Sequence, residues 1–390
     1  MGQDAGAEFD IQVERLGQGV AAPRVVVAIP VKDEVERIGL CLESLMLQVD
    51  VAFEEVAVVL LLNNCTDGTA EQVREFAPQL PFRIELHVVT LPTSHANAGW
   101  ARKLAMDAAE RLVASDGLIL TTDADTQAHE EWIASNLREI EAGHDAVAGY
   151  VMADPIELMQ LPPAILERGS LEWEYQQLAA ELDARADPEP HDAWPRHNQN
   201  CGASAAVTAA AYRAIGGLPP RPVGEDRALF EMLRRMDGRI RHSLEVQVVT
   251  SARTDGRASG GLADEIRLRT NPNHPCDDAL EVAISTFRRA LWRSELRTLW
   301  QAGQVDGQAE PWGARMRIPA ANIRAALGRH PYFGAFWAEL EGQSPRLAWR
   351  LVTMAGLKRE LRRIRRLVDG LRARDKAAAR APAAKKVRAA

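Results

Sequence analysis

The sequence predicts an α/β protein with a mostly parallel sheet flanked by helices, followed by a C-terminal helical extension and a basic tail. Short apolar runs alternate with helical patterns from residue 24 to residue 151. Beyond residue 262 the pattern is almost wholly helical, and segment 357–390 is rich in Ala, Lys and Arg. Continuously apolar strands separated by amphipathic helices are typical of a parallel sheet that is covered on both faces.

The first half of the chain carries most of the predicted strands. Each is a short run of apolar, mainly β-branched residues, whereas the helices repeat their apolar residues every three or four positions. The predicted elements are strand 25–31, helix 37–48, strand 56–62, helix 69–76, strand 83–89, helix 98–114, strand 118–122 and helix 130–142. Further along, the sequence predicts helix 165–182, helix 226–236 and strand 244–250.

Composition and charge limit the class of protein. The chain has 390 residues, with 47 Lys plus Arg against 54 Asp plus Glu, and this mild acidity speaks against nucleic-acid binding. Its longest apolar runs have about seven residues, far fewer than the ~18 of a membrane span, and its polar start lacks the pattern of a secretory signal. Four scattered cysteines without a Cys-x-x-Cys pair predict a reducing cytoplasm rather than a zinc site or a disulfide scaffold.

The net charge of -7 averages two unlike parts. Segment 357–390 holds 13 basic and three acidic residues, a charge of +10, which leaves -17 on the first 356 residues. An apolar stripe runs along this basic segment at helical spacing and comprises Met354, Leu357, Leu361, Ile364, Val368 and Leu371. It either packs on the chain's own helical region from Asp277 to Leu340, lies peripherally on the inner face of a membrane, or mediates self-association through 346–374.

Three polar loops follow predicted strands, at 30–34, 63–69 and 122–126. Because the carboxyl ends of parallel strands lie at one edge of a sheet, these loops are expected to converge on one cleft. Asp123 and Asp125 can both approach a divalent cation, and such oxygen ligands suit Mg²⁺ or Mn²⁺ bridged to substrate phosphates. The alternative is that both are turn and helix-capping residues.

Other charged residues near these loops have local explanations as well as functional ones. Asp67 either caps the helix that begins near Thr69 or contacts a ligand. Lys32 and Glu34 either belong to a solvated turn or line the cleft. Asp226 either caps a helix or serves as a general base opposite a metal-bound phosphate.

Taken in order, these motifs resemble the family 2 glycosyltransferases over residues 24–257, about 60% of the chain. The first segments that carry the resemblance are Val25–Pro30 with Glu34, Asn63–Thr69, and the helix with Asn97, Gly99 and Arg102. The later ones are Asp123-Ala124-Asp125, Gly216-Gly217 and Glu225-Asp226.

The resemblance implies a GT-A fold and an inverting hexosyltransferase-type reaction, in which a nucleoside diphosphate sugar donates one sugar to an acceptor hydroxyl. It also implies that Asp125 holds the metal, that Asp123 contacts the ribose or shares the metal, and that Asp226 is the general base. The remaining donor-binding residues implied are Pro30, Lys32, Glu34, Asn63, Asp67 and Arg102.

Two features depart from the family pattern. Asn63 stands where the family often has the aspartate that pairs with uracil, so the donor base stays open. The Gln-x-x-Arg-Trp signature of processive members is absent, which predicts one sugar per event. In its place Arg253 and Arg257 either fold over the diphosphate or belong to a solvated loop. His197 and His242 are weaker candidates for a third metal ligand.

The predicted organisation follows from the resemblance. Residues 1–22 form an N-terminal extension, and 23–262 form the glycosyltransferase domain, with a donor half at 23–151 and an acceptor half at 152–262. A helical region at 263–345 precedes a basic amphipathic helix and disordered tail at 346–390, in which the disorder is predicted to begin after Asp375. Two other functions stay open, a nucleotidyltransferase-like enzyme and a non-catalytic scaffold that binds partners through its basic helix. The chain has neither the Gly-x-Gly-x-x-Gly nor the Gly-x-x-x-x-Gly-Lys phosphate loop that other nucleotide-binding enzymes use.

Overall fold

The computed structural model describes residues 9–257, 260–271 and 273–380, which divide into two compact units. The first unit contains the residues up to Leu161 together with Gln199–Thr270. The second contains Pro162–Asn198 together with the described residues from Asn271 onward. The segment 152–262, predicted to form an acceptor half, is therefore divided between the two units.

The strands all belong to one sheet of the first unit. They are β1 (Ile11–Leu16), β2 (Val25–Val31), β3 (Val56–Asn63), β4 (Arg83–Val89), β5 (Leu118–Thr121), β6 (Thr126–Ala128), β7 (Ala146–Ala153), β8 (Ala205–Thr208) and β9 (Ile240–Thr250). Their order across the sheet is β1-β4-β3-β2-β5-β8-β7-β9-β6.

The helices occur in both units. They are α1 (Ile38–Met46), α2 (Thr69–Phe76), α3 (Ala98–Leu112), α4 (Trp132–Glu141), α5 (Pro155–Leu158), α6 (Pro163–Ala186), α7 (Ala209–Ala214), α8 (Glu225–Arg235), α9 (Leu262–Leu268), α10 (Ala283–Gln301), α11 (Ala309–Met316), α12 (Ala320–Arg329), α13 (Phe333–Gln343) and α14 (Met354–Arg380). Helices α6 and α10–α14 belong to the second unit. None of the helices in the described residues combines the length and apolarity that crossing a bilayer requires.

The sheet is mixed, and the prediction of a mostly parallel sheet holds for its central part. Strands β4, β3, β2 and β5 are parallel to one another, as are β7 and β9. Strands β1, β6 and β8 pair antiparallel with their neighbours. Strand β1 lies within the predicted N-terminal extension. It has no apolar run that would predict a strand, because its four central residues are exposed.

Strand β2 shows why the central strands are apolar along their whole length. Val25, Val27 and Ile29 pack in one core with helices α1, α2 and α4. Val26 and Ala28 point the other way, into a second core with α3, α7 and α8. Successive side chains of a strand alternate between faces, so a sheet covered on both sides needs apolar residues at every position. The predicted α/β architecture is thus confirmed.

The second unit is helical, and it buries the apolar stripe of α14. Leu357, Leu361, Ile364, Val368 and Leu371 are each at most 6% exposed. They share a core with residues of α6 and α10, among them Tyr175, Leu182, Ala283 and Ala290. Of the three alternatives for this stripe, the structure therefore shows packing within the chain, on α10 of the predicted region 277–340 and also on α6, which lies outside that region. The tail is predicted to be disordered after Asp375, but helix α14 continues to Arg380, so the prediction is wrong for the five residues 376–380. The rest of the predicted tail lies outside the described residues.

Candidate active site

The loops that follow β2 and β3 are fastened to each other by hydrogen bonds. The backbone N of Glu34 donates to Thr69 Oγ1 at 3.0 Å, and that of Val35 donates to Asp67 Oδ2 at 3.0 Å. The backbone N of Thr66 donates to Asp33 Oδ1 at 2.6 Å. The predicted convergence of the loops at one sheet edge is thus found for these two.

The carboxylate of Asp67 connects the loop after β2 to the start of α2. Its Oδ1 accepts from the backbone N of Thr69, the first residue of α2, at 3.1 Å, while its Oδ2 holds Val35. Although burial opposes the effect, the hydrogen bonds from Thr69 and Val35 lower the pKa of Asp67 below its usual value. Asp67 therefore bonds to the first backbone N–H of α2 but is not its N-cap residue, which is Gly68, and its contact with a ligand stays a prediction.

Arg102 joins the loop after β5 to the start of α8. Its side chain is buried, with Nη2 2.6 Å from Asp123 Oδ1 and Nε 3.0 Å from Glu225 Oε1. Nη1 donates to Thr121 Oγ1 at 2.9 Å and to the carbonyl of Gly202 at 3.1 Å. Although burial opposes it, the charges of Asp123 and Glu225 raise the pKa of Arg102. A fixed positive charge thus lies between the Asp-x-Asp and Glu-Asp motifs.

Asp226 is placed beside this cluster by the first turn of α8. Its Oδ2 accepts from the backbone N of Gly202 at 2.9 Å, and its Oδ1 accepts from its neighbour Arg227 at 2.7 Å. The side chain of Asp226 is half-buried, whereas that of Glu225 is 5% exposed. Of the two adjacent acids, only Asp226 keeps a surface that a substrate can reach.

A second ionic cluster links the loop after β9 to the first loop. Arg253 donates to Oε2 of the buried Glu34 at 2.9 Å and makes a further short contact with Oε1. Its Nη2 also lies 3.0 Å from Asp125 Oδ2. Arg253 is therefore not the solvated residue of its alternative interpretation, because it pairs with two acids of the cleft.

Glu157 fixes the loop that carries Arg253. One carboxylate oxygen accepts from Ser251 Oγ at 2.8 Å and from the backbone N of Ala252 at 2.6 Å, and the other lies 2.8 Å from Arg37. Although burial opposes it, these hydrogen bonds lower the pKa of Glu157. The sequence motifs miss Glu157 because it stands on the short helix α5, outside every polar loop.

Asp125 lies in a strongly negative environment. Burial, the nearby Asp123 and Glu34 raise its pKa to about 7, in spite of the charges of Arg253 and Arg37. A carboxylate with such a pKa gains from a further positive charge close by. The surroundings of Asp125 thus fit the predicted divalent cation.

The protein by itself supplies few ligands for that cation. Among the residues that the structure describes, no group of three or more His, Cys, Asp or Glu side chains could hold a metal ion, so His197 and His242 complete no such group. Asp123 and Asp125 each keep one oxygen outside their arginine contact. Mg²⁺ is commonly held by one or two carboxylates together with substrate phosphates, and this pair fits that arrangement.

The other predicted site residues lie around the first two loops. Lys32 makes a short hydrogen bond to the carbonyl of Asn64 and an ion pair with Asp33 at 2.7 Å. Arg257 donates to the carbonyl of Asp33 at 3.1 Å. Pro30 is half-buried in β2.

Asn63 at the end of β3 is 4% exposed, and its Oδ1 has no hydrogen-bond partner among the described residues. A buried amide oxygen without a partner is costly. This cost makes Asn63 a candidate for contact with a bound ligand.

A comparison with protein-family models agrees with the motifs. Residues 26–197 match the family model described as "Glycosyl transferase family 2". Among solved structures, the chain is similar to the mannosyltransferase PcManGT from Pyrobaculum calidifontis in complex with GDP-Man and Mn²⁺, with 17% identity, a TM-score of 0.44, and 86% of this chain and 90% of that chain covered. It is also similar to S. aureus TarS 1-349 in complex with UDP, with 16% identity, a TM-score of 0.41, and 75% and 91% covered. None of the curated proteins compared matches this chain.

Proposed function

We propose that the chain, of which residues 26–197 match the family model described as "Glycosyl transferase family 2", is an inverting, metal-dependent enzyme that transfers one sugar per event from a nucleoside diphosphate sugar to an acceptor hydroxyl. This match favours the glycosyltransferase over a nucleotidyltransferase-like enzyme or a non-catalytic scaffold. The reaction is proposed to take place in the cytoplasm, in keeping with four cysteines that are all free thiols.

The observation that carries the proposal is the double contact of Arg102. Its guanidinium holds Asp123 at 2.6 Å and Glu225 at 3.0 Å, so the acids of two motifs more than 100 residues apart lie in one site. Asp226, the neighbour of Glu225, is half-buried there. An ionisable acid beside a donor-binding cluster is what general-base catalysis on an acceptor hydroxyl requires.

The proposed reaction is a single displacement. The acceptor oxygen forms a bond to the anomeric carbon as the bond from that carbon to the diphosphate oxygen breaks. The electron pair of the broken bond leaves with the diphosphate, and Asp226 takes the proton of the acceptor hydroxyl. Because attack and departure occur on opposite sides of the carbon, its configuration inverts.

The negative charge of the leaving diphosphate must be neutralised, but the first 356 residues carry a net charge of -17. Mg²⁺ or Mn²⁺, held by Asp125 and Asp123, supplies positive charge when bound with the donor. Arg253 is proposed to move from Glu34 and Asp125 to the phosphate oxygens, for which a guanidinium is well suited. Lys32 and Arg257 are the further cations proposed for the donor side.

The donor base is proposed to contact the loop after β3. Asn63 has a buried oxygen without a partner among the described residues, and its amide offers both a donor and an acceptor. A carboxylate at this position would only accept. This difference leaves uridine as one candidate base among several.

A thermal-shift panel of UDP, GDP, CDP and dTDP sugars, with and without Mn²⁺, tests the proposal. We expect at least one nucleotide sugar to raise the melting temperature, and to do so more strongly with Mn²⁺. Asp125→Ala should remove the metal-dependent part of the shift, whereas Asp255→Ala should keep it, because Asp255 is 93% exposed. If no nucleotide stabilises the protein in the presence of metal, the proposed function fails.

A further inference from the structure

The second unit contains a cleft of about 500 Å³ around Trp349. This volume is within the range of small-molecule sites, about 300–1,000 Å³. A smaller cavity of about 150 Å³ shares Arg289 and Trp349 with it. The larger cleft is lined by the side chains of Arg289, Glu341, Gln343 and Trp349, together with Gly342 and Ala348.

Trp349 is both exposed and fixed. It is 52% exposed, and its indole Nε1 donates to the carbonyl of Asp278 at 3.1 Å. The following residues form a short antiparallel bridge, in which Val282 N donates to Arg350 O at 2.8 Å and Val352 N to Leu280 O at 2.8 Å. A large aromatic surface is therefore held toward solvent without the loss of rotamer freedom that binding otherwise requires.

Arg289 supports one face of this ring. Its guanidinium carbon lies 5.1 Å from the centre of the Trp349 ring, within the range of a cation–π contact. The same guanidinium donates to both carboxylate oxygens of Glu281, at 2.6 and 3.2 Å, to the carbonyl of Leu347 at 2.8 Å, and by a short contact to Glu341. Four of its five N–H groups are thus already used within the protein.

These contacts determine the charge of a fitting ligand. Arg289 and Glu341 are the charged side chains that line the cleft, and they pair with each other. An anion would compete with Glu281 and Glu341 for Arg289, and a cation would compete with Arg289 for Glu341. The cleft therefore favours a neutral ligand.

The polar groups of the cleft favour a ligand with many hydroxyls. Glu341 uses Oε1 for Arg289, and a carboxylate has further lone pairs to accept from hydroxyls. Gln343 accepts from Asn322 at 2.7 Å and donates to Glu339 at 2.9 Å, and its amide has one lone pair and one N–H beyond these. A pyranose combines such hydroxyls with a face of C–H groups that stacks on an indole.

We propose that this cleft binds a neutral glycan, with one pyranose ring stacked on Trp349 and its hydroxyls bound by Glu341 and Gln343. That the glycan is the acceptor or its elongated product rests on the proposed function. The binding itself does not, because it needs neither the donor nor a metal.

Saturation-transfer NMR on the full chain tests this inference with linear trisaccharides of glucose, mannose, galactose and N-acetylglucosamine. We expect at least one of them to bind, and Trp349→Ala to weaken its binding at least about tenfold. Trp349→Phe should retain part of the affinity. Trp173→Ala is the matched control, since Trp173 is also 52% exposed but does not line the cleft, and it should bind as the wild type does.

Two results would overturn the inference: no trisaccharide binds the wild type, or Trp349→Ala binds as tightly as the wild type. Circular dichroism establishes that each variant is folded, and Glu341→Gln provides a second variant if Trp349→Ala is not. Stabilisation by nucleotide sugars is measured on the same samples. If the protein binds a nucleotide sugar but no trisaccharide, the proposed function stands and this inference fails. If it binds a trisaccharide but no nucleotide sugar, this inference stands and the proposed function fails.

Discussion

The guanidinium of Arg102 donates a hydrogen bond of 2.6 Å to Asp123, the first aspartate of the Asp-x-Asp motif. Arg102 is 6% exposed and comes from α3, while Asp123 follows β5 and is one-third exposed at its side chain. The rest of the guanidinium is satisfied by Glu225, Thr121 and the carbonyl of Gly202. The buried Arg102 therefore fixes the positions of both Asp123 and Glu225.

Replacement of Arg102 should destabilise the protein. Arg102→Met leaves the carboxylate of Glu225 buried without its partner, and we expect the free energy of unfolding to fall by about 3 kcal/mol. Arg74→Met is the control, because its ion pairs with Glu14 and Glu71 are exposed and should contribute less than about 1 kcal/mol. Urea denaturation measures both variants, and equal losses would contradict a structural role for Arg102.

Because Gly202 has no side chain, the guanidinium of Arg102 can lie against its backbone. A Cβ at Gly202 would lie 2.5 Å from the guanidinium carbon of Arg102, whose four partners prevent it from moving away freely. Gly202→Ala should therefore cost about 2 kcal/mol. Gly169→Ala, in the interior of α6 with nothing within 4 Å of its Cβ, should instead stabilise the protein by about 0.5–1 kcal/mol. Thermal or urea unfolding that gives both changes the same sign would contradict this reasoning.

The sequence predicts the central fold well because each central strand and helix has an apolar pattern that can be recognised within its own segment. Strand β2 is observed at Val25–Val31 as predicted, and a sheet covered on both faces demands that unbroken apolar run. Strand β1 carries no such signal, since its stability comes from pairing with β4, which no local pattern records. For the same reason the grouping of Pro162–Asn198 with the C-terminal helices depends on tertiary packing.

In the site, too, the motif residues can be predicted from the sequence, whereas their contacts with residues distant in the chain cannot. Asp123, Asp125 and Asp226 stand out at strand or helix ends, where motifs are visible. Which arginine each acid meets is decided by contacts over long separations, such as Arg253 with Glu34 across 219 residues. Glu157, which holds the loop before Arg253, lies in no motif. Only the folded structure brings such residues into the argument.

Asp125 should make stability depend on pH. Burial and the nearby Asp123 raise its pKa from 3.8 to about 7, so between these values the folded protein holds a proton that the unfolded chain releases. The contribution of this group to stability therefore falls as the pH rises toward 7. Asp125→Asn cannot ionise, so its free energy of unfolding relative to the wild type should increase by about 3 kcal/mol from about pH 4 to about pH 8.

Urea denaturation of Asp125→Asn and the wild type at both pH values measures this difference. Asp255→Asn is the control, because its side chain is 93% exposed and its replacement should change stability equally at either pH. A stability difference for Asp125→Asn that does not vary with pH would show that Asp125 titrates in the folded protein as it does in the unfolded chain.

The buried stripe of α14 should contribute to the stability of the second unit. Ile364 is fully buried in the core that α14 shares with α6 and α10, so Ile364→Ala should cost about 2–4 kcal/mol. Arg366→Ala on the exposed side of the same helix should cost less than about 0.5 kcal/mol. Urea denaturation compares the two. Similar small losses would mean that the stripe is not packed within the chain.

Asp226 should be needed for transfer and not for donor binding. Asp226→Asn keeps the size of the side chain but removes its ability to take a proton, so we expect the transfer rate to fall by about 10²–10⁴. The stabilisation by the nucleotide sugar identified in the thermal-shift panel should persist, because Asp226 contacts the backbone of Gly202 and belongs to no donor-binding loop. Glu231→Gln, an exposed acid on the same helix, should transfer at the normal rate. A near-normal rate in Asp226→Asn would remove Asp226 as the base.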